Sequence, residues 1–145
     1  MATAFDVAKH ILDRLGPISA MKLQKLVYYS QAWSLVWDDV PLFENRIEAW
    51  ANGPVVRDLY DEHKGLFEVR PETFAHLAKT TLTAEQVETI DTVLKAYGGK
   101  SSQWLSDQTH AEDPWRIARE GLADGERGDK EISLASMAEY YSSLQ

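Results

Sequence analysis

Met21-Lys22-Leu23-Gln24-Lys25-Leu26-Val27-Tyr28-Tyr29-Ser30-Gln31-Ala32-Trp33 is the stretch on which the fold turns. Leu23, Leu26, Val27, Ser30, Trp33 and Trp37 recur at helical spacing, and Ser19 is placed to cap a helix over residues 20–37. Tyr28, Tyr29, Ala32, Leu35 and Val36 widen the apolar arc well past one stripe. A helix that is apolar on most sides is central in its fold or covered by a partner.

Shorter helices flank it. Phe5, Ala8, Ile11, Leu12 and Leu15 predict an amphipathic helix over 5–15, ended by Gly16-Pro17. Downstream, Leu42-Phe43 and Ile47-Glu48-Ala49 read as short extended pieces of a small hairpin. Gly53-Pro54 then reads as a strand break, with Pro54 in the first turn of a helix over 54–64 closed by Gly65. Phe67 and Val69 suit a strand, and Phe74 to Ala78 a short helix. Thr83-Ala84-Glu85-Gln86 is a capping box opening a helix that carries Val87, Ile90, Leu94 and Tyr97 and stops at Gly98-Gly99. Ser101 or Ser102, Asp113 and Ser133 are further N-cap candidates, and Pro114 follows Asp113 as a first helical residue. The expected fold is mainly α: one domain over 1–145, six to seven helices and a small β-hairpin.

Composition fits a globular domain. Apolar residues make up 44% and charged residues 26% of 145, and five Trp, six Tyr and four Phe are too many for a disordered chain. A net charge of −8 argues against binding a phosphate backbone, where Lys and Arg must replace counterions. The absence of cysteine excludes disulfides, thiol chemistry and cysteine zinc sites. No basic leader followed by an apolar run opens the chain, and no stretch approaches the ~18 apolar residues of a membrane span. A cytoplasmic protein without a membrane partner is expected.

Catalytic signals are weak. Gly98-Gly99-Lys100-Ser101 resembles the end of a phosphate loop, but position 94 is Leu within a helix, so the four residues read as a C-cap followed by an N-cap. His10, His63, His76 and His110 show no ligand spacing, and Asp58, Asp61 and Glu62 read as one solvated helix face. His110, Glu112 and Asp113 are explained by capping from Asp113. No nucleophile elbow is present. No catalytic, metal or cofactor residue is expected, and an enzyme, such as a small hydrolase, ranks below a binding module. The rings interleaved with Lys22 and Lys25 fit a core, a protein interface or a stacking surface for single strands, in that order.

Several blocks, in order, resemble the SocA-like antitoxins, the Panacea domain with its GepA-type phage-associated members. The first is Met21 to Leu26 with Tyr28 to Trp33. Ile47-Glu48-Ala49-Trp50 with Gly53-Pro54-Val55-Val56 is the second, followed by the shorter Leu59-Tyr60. Leu105-Ser106 through Thr109-His110 to Asp113-Pro114-Trp115 comes next, and Ile132-Ser133 through Glu139-Tyr140-Tyr141 closes the series. The resemblance implies a compact helical domain with a small β element and no catalytic residues. It also implies an antitoxin that neutralises a cognate protein toxin by direct contact, or an adaptor delivering the toxin to an AAA+ protease. A third implied role is an interaction module of phage and mobile elements. The expected contacts are Lys22, Lys25, Tyr28, Tyr29, Trp50 and Trp115. The expected structural residues are Leu23, Leu26, Trp33, Gly53, Pro54, Asp113 and Pro114.

Overall fold

A computed structural model describes residues 1–145. Its elements are α1 (Ala4–Leu15), β1 (Ile18–Ser19), α2 (Ala20–Trp37), β2 (Ile47–Trp50), β3 (Gly53–Val56), α3 (Arg57–His63), β4 (Glu68–Val69), α4 (Pro71–Phe74), α5 (Ala84–Tyr97), α6 (Ser102–His110), α7 (Asp113–Ala118) and α8 (Leu134–Ser142). The fold is mainly α, with eight helices and two small antiparallel sheets, β1–β4 and β2–β3.

Helix α2 is the axis. Ser19 caps it by accepting from the Lys22 N–H at 3.1 Å. Helices α1, α5, α6 and α8 and strand β3 all pack against it. Leu23, Leu26, Val27, Tyr28, Tyr29 and Ala32 are therefore in the core together. Enclosure on nearly all sides is what its wide apolar arc foretold. Helix α1 needs only one stripe, and buries Val7, Ala8, Ile11 and Leu12.

An enclosed helix must satisfy its polar side chains from within. Ser30 and Ser34 donate to the carbonyls of Leu26 and Val40. Two glutamines do more. Gln24 Nε2 donates to the Val56 carbonyl at 3.3 Å, and its Oε1 accepts from the Val56 N–H at 2.8 Å. Gln31, two helical turns along, donates to the Phe43 carbonyl at 2.8 Å and accepts from the Leu42 N–H at 2.7 Å. Each amide acts as one residue of a strand partner. Gln24 holds the outer edge of β3, and Gln31 holds the irregular 42–43 segment.

The hairpin differs from the sequence expectation. Leu42 and Phe43 are buried but form no strand, and β2 pairs with β3 over Ile47↔Val56 to Trp50↔Gly53. Gly53-Pro54 does not break the strand or open a helix; it is the start of the returning strand, and α3 begins only at Arg57. Pro54 is tolerated because its partner, Ala49, sends its N–H the other way, to the Lys130 carbonyl at 2.8 Å. On β3, Pro54 shares parity with Val56, whose N–H points to Gln24, so no β2 hydrogen bond is lost there.

Elsewhere the capping signals hold. Thr83 and Gln86 form the reciprocal box, and Ser101 and Ser133 accept from Trp104 and Ser136. The Asp113 cap does not form. Glu112 occupies the N-cap position, Asp113 lies inside α7, and neither side chain caps the helix. Asp113 is exposed and lies 3.8 Å from Arg116, while Pro114 is buried.

Gln31→Leu keeps the volume but strands the Leu42 N–H and the Phe43 carbonyl. An unpaired buried polar group costs about 1–3 kcal/mol. Urea unfolding of this variant should show a loss of that size or larger, with an unchanged m-value.

Candidate interaction site

The expected contact residues divide into inner and outer sets. Tyr28 and Tyr29 are 1% and 0% exposed. Their placement as partner contacts is therefore corrected: both rings face inward because α2 is covered on the sides that carry them. The Tyr28 and Tyr141 hydroxyls share a hydrogen bond at 3.0 Å. Tyr29 donates to Glu112 Oε1 at 2.8 Å, and Tyr141 donates to the same oxygen at 2.7 Å. Gln108 reaches the other carboxylate oxygen at 3.3 Å.

Glu112 is thus a buried carboxylate ringed by tyrosines. Burial pushes its pKa above the ordinary value, and the hydrogen bonds from Tyr141, Tyr29 and Gln108 only partly oppose this. Burial likewise raises Tyr28 and Tyr29, with the Glu112 charge adding to the effect. All three phenols stay neutral donors. Sequence reading missed this role for Glu112, because its position before Pro114 looked like an ordinary helix start.

Trp115 is also inside. Its indole N–H donates to the Trp50 carbonyl at 2.8 Å, and His110 and Arg119 lie against its ring. With 7% of its surface exposed it is a strut between α7 and the hairpin. Lys22 and Trp50 keep partial exposure. Trp50 donates to Glu48 at 2.8 Å and meets Tyr60 edge-on at 4.7 Å.

Lys25 is the least expected placement. It is 2% exposed, and its chain runs over Gly53. A Cβ at Gly53 would sit 2.5 Å from Lys25 Cε, and the backbone there has φ +122°. The backbone angle demands glycine, and a Cβ there would also displace the tip of Lys25. Gln24, one residue earlier, also meets His63 Nε2 at 3.0 Å. With the Gln24 amide donating, His63 Nε2 is an acceptor and the ring is neutral. Burial holds its pKa below 6.5, against a backbone hydrogen bond that favours the charged form.

Other rings reach the surface. Trp37 is 42% exposed and Trp104 39%. They end a chain of touching aromatics: Trp37 stacks on Trp33 at 5.0 Å, the Trp33 indole donates to the Tyr97 hydroxyl at 3.2 Å, and Tyr97 lies 6.4 Å from Trp104. The inner end is anchored, since Tyr97 stacks on Tyr29 at 4.2 Å and 6°. Trp33, expected to be purely structural, is half-buried and links the two sets.

The family of the chain follows from comparison with known proteins. The model of the antitoxin SocA-like family, Panacea domain, matches residues 23–116, about two thirds of the chain. The chain belongs to that family. The match runs from the first turn of α2 into α7, so it includes the glutamine clamps, the hairpin and Glu112, but neither α1 nor α8. No curated protein and no solved structure matches significantly. No helix is long and apolar enough to cross a membrane.

Tyr28→Ala combined with Tyr29→Ala should unfold the domain. Each truncation of a buried aromatic costs about 3–5 kcal/mol, against a total stability of about 5–15 kcal/mol for a domain. Near-native thermal melting of the double variant would overturn the burial reading. Glu112→Gln keeps an acceptor for the tyrosines without the charge. In the wild type the folded carboxyl titrates above its unfolded value, so folding is favoured at low pH and loses that advantage as pH rises through the folded pKa. Glu112→Gln lacks this slope, so its stability relative to the wild type should grow over that range. Chemical denaturation at a series of pH values reads it directly.

Proposed function

We propose that the protein is an antitoxin that holds a cognate protein toxin inactive by direct contact, in the cytoplasm, and that it is not an enzyme. Membership of an antitoxin family supports a toxin partner. The observation that carries the mode of action is the surface aromatic row, Trp37, Trp33, Tyr97 and Trp104. Tryptophan and tyrosine dominate interface hot spots because they bury much area at little entropic cost. Here two of the rings are already braced against the core, so little ordering is needed on binding. The net charge of −8 supports attraction to a basic toxin. Lys22 and Trp50, the accessible members of the expected contacts, stand as secondary contacts.

The test uses the neighbouring reading frame as toxin. Expressed alone it should arrest growth, and co-expression with this protein should restore it. Trp37→Ala with Trp104→Ala should leave the melting temperature within a few degrees, since both rings are well exposed, yet weaken the complex by about 2 kcal/mol or more, some thirtyfold. Full rescue by the double variant would sink the aromatic row as the interface. Rescue accompanied by a shortened toxin half-life, lost when the AAA+ protease is removed, would replace occlusion with delivery for degradation.

A further inference from the structure

A cavity of about 800 Å³ opens between the N-terminal half of α2, the β2–β3 turn, α3 and the 125–129 loop. That volume is typical of a small-molecule site. Lys25, Arg57, Lys64 and Arg127 line it, against only Asp61 and Asp129. Four cations facing two carboxylates is a local reversal in a chain of net charge −8. Arg57 is partly engaged, 3.4 Å from Glu48 and 3.6 Å from Asp61. Lys64 and Arg127 make no ion pair within the chain and are exposed at the rim.

Lys25 sets the chemistry. It is 2% exposed, and no carboxylate, carbonyl or hydroxyl of the chain pairs with its ammonium. Every fully sealed side-chain nitrogen or oxygen elsewhere in the protein has a hydrogen-bond partner. The Lys25 amine differs in reaching the cavity. Burial lowers its pKa to about 8, so it still carries its charge at neutral pH. An unpaired buried charge is costly, and an anion brought to it gains a strong, poorly screened partner. Gly53 lets the lysine chain cross the hairpin to this place, and Trp50 and Tyr60 form an aromatic wall beside it.

We propose that this cavity binds a small organic oxyanion carried on a flat ring. Its charged group pairs with the Lys25 ammonium under the rim cations, and its ring lies against the Trp50–Tyr60 wall. The site is separate from the Trp37–Trp104 row and shares only Trp50 with the secondary contacts, so ligand binding measured on the free protein stands or falls independently of the antitoxin reading.

Pyridoxal 5′-phosphate carries both features and an aldehyde. Above the Lys25 pKa of about 8, the free amine adds to the aldehyde carbon, water leaves, and borohydride reduces the resulting C=N bond to a stable amine, while the phosphate is held by the rim cations Arg57, Lys64 and Arg127. Peptide mass mapping should place the label on Lys25 ahead of the other lysines. Pyridoxal, which lacks the phosphate, should label Lys25 about tenfold less, the worth of one charge-assisted contact. Adenosine monophosphate should protect against labelling and bind saturably by calorimetry, with adenosine about tenfold weaker. Lys25→Met should abolish calorimetric binding without lowering thermal stability, because it removes an unpaired charge. Should Lys25→Met fail to fold, Arg127→Gln, at the exposed rim, should still weaken binding and protection. Even labelling across the lysines, equal labelling by pyridoxal, or no saturable binding of adenosine monophosphate would each overturn the proposal.

Discussion

Enclosure of α2 is the constraint from which the rest follows. A helix covered on nearly all sides leaves no solvent to receive its polar side chains, so each must find a partner or a cavity. Gln24 and Gln31 solve this by imitating backbone. Their amides close hydrogen bonds that an additional strand would otherwise make, to Val56 and to the Leu42–Phe43 segment. The small β element thereby keys into the helical core through side chains. The clamps also set the depth at which the hairpin sits, and with it the cavity that Lys25 enters.

The same enclosure explains the carboxylate in the core. Tyr28 and Tyr29 bring hydroxyls into the interior, and Tyr141 of α8 adds a third. A single acceptor, Glu112 Oε1, takes two of them. The link ties α2, α7 and α8 together at one atom. Its directional bonds fix how the helices meet more narrowly than aliphatic packing does. Outward from this point the aromatics continue through Tyr97 and Trp33 to Trp37 and Trp104. Surface and core rings form one continuous body, which gives the exposed end a rigid base.

Much of this was legible in the chain. The wide apolar arc of residues 20–37 marks a helix covered on most sides. Ser19, Thr83, Ser101 and Ser133 marked helix starts, because a cap bonds its own next turn and needs nothing distant. Gly53-Pro54 was misread for the opposite reason. Locally the pair breaks a strand, whereas the hairpin turns at Ala51-Asn52, just before it. The strand is permitted by Lys130, which takes the Ala49 N–H, and by Gln24, which takes that of Val56. Both lie far away in sequence.

The sequence by itself determined the helical class, most helix starts, the covering of α2 on most sides and the family resemblance, since these rest on periodicity, on caps and on ordered blocks within the chain. Only the tertiary structure decided which aromatics face inward, that Glu112 rather than Asp113 occupies the helix start and turns to the tyrosines, and that Lys25 ends in a cavity with no carboxylate on its ammonium. The physical reason is that the arc of α2 is apolar nearly all round. Periodicity then carries no information about direction, and a side chain's surroundings are set by whichever distant element packs against it.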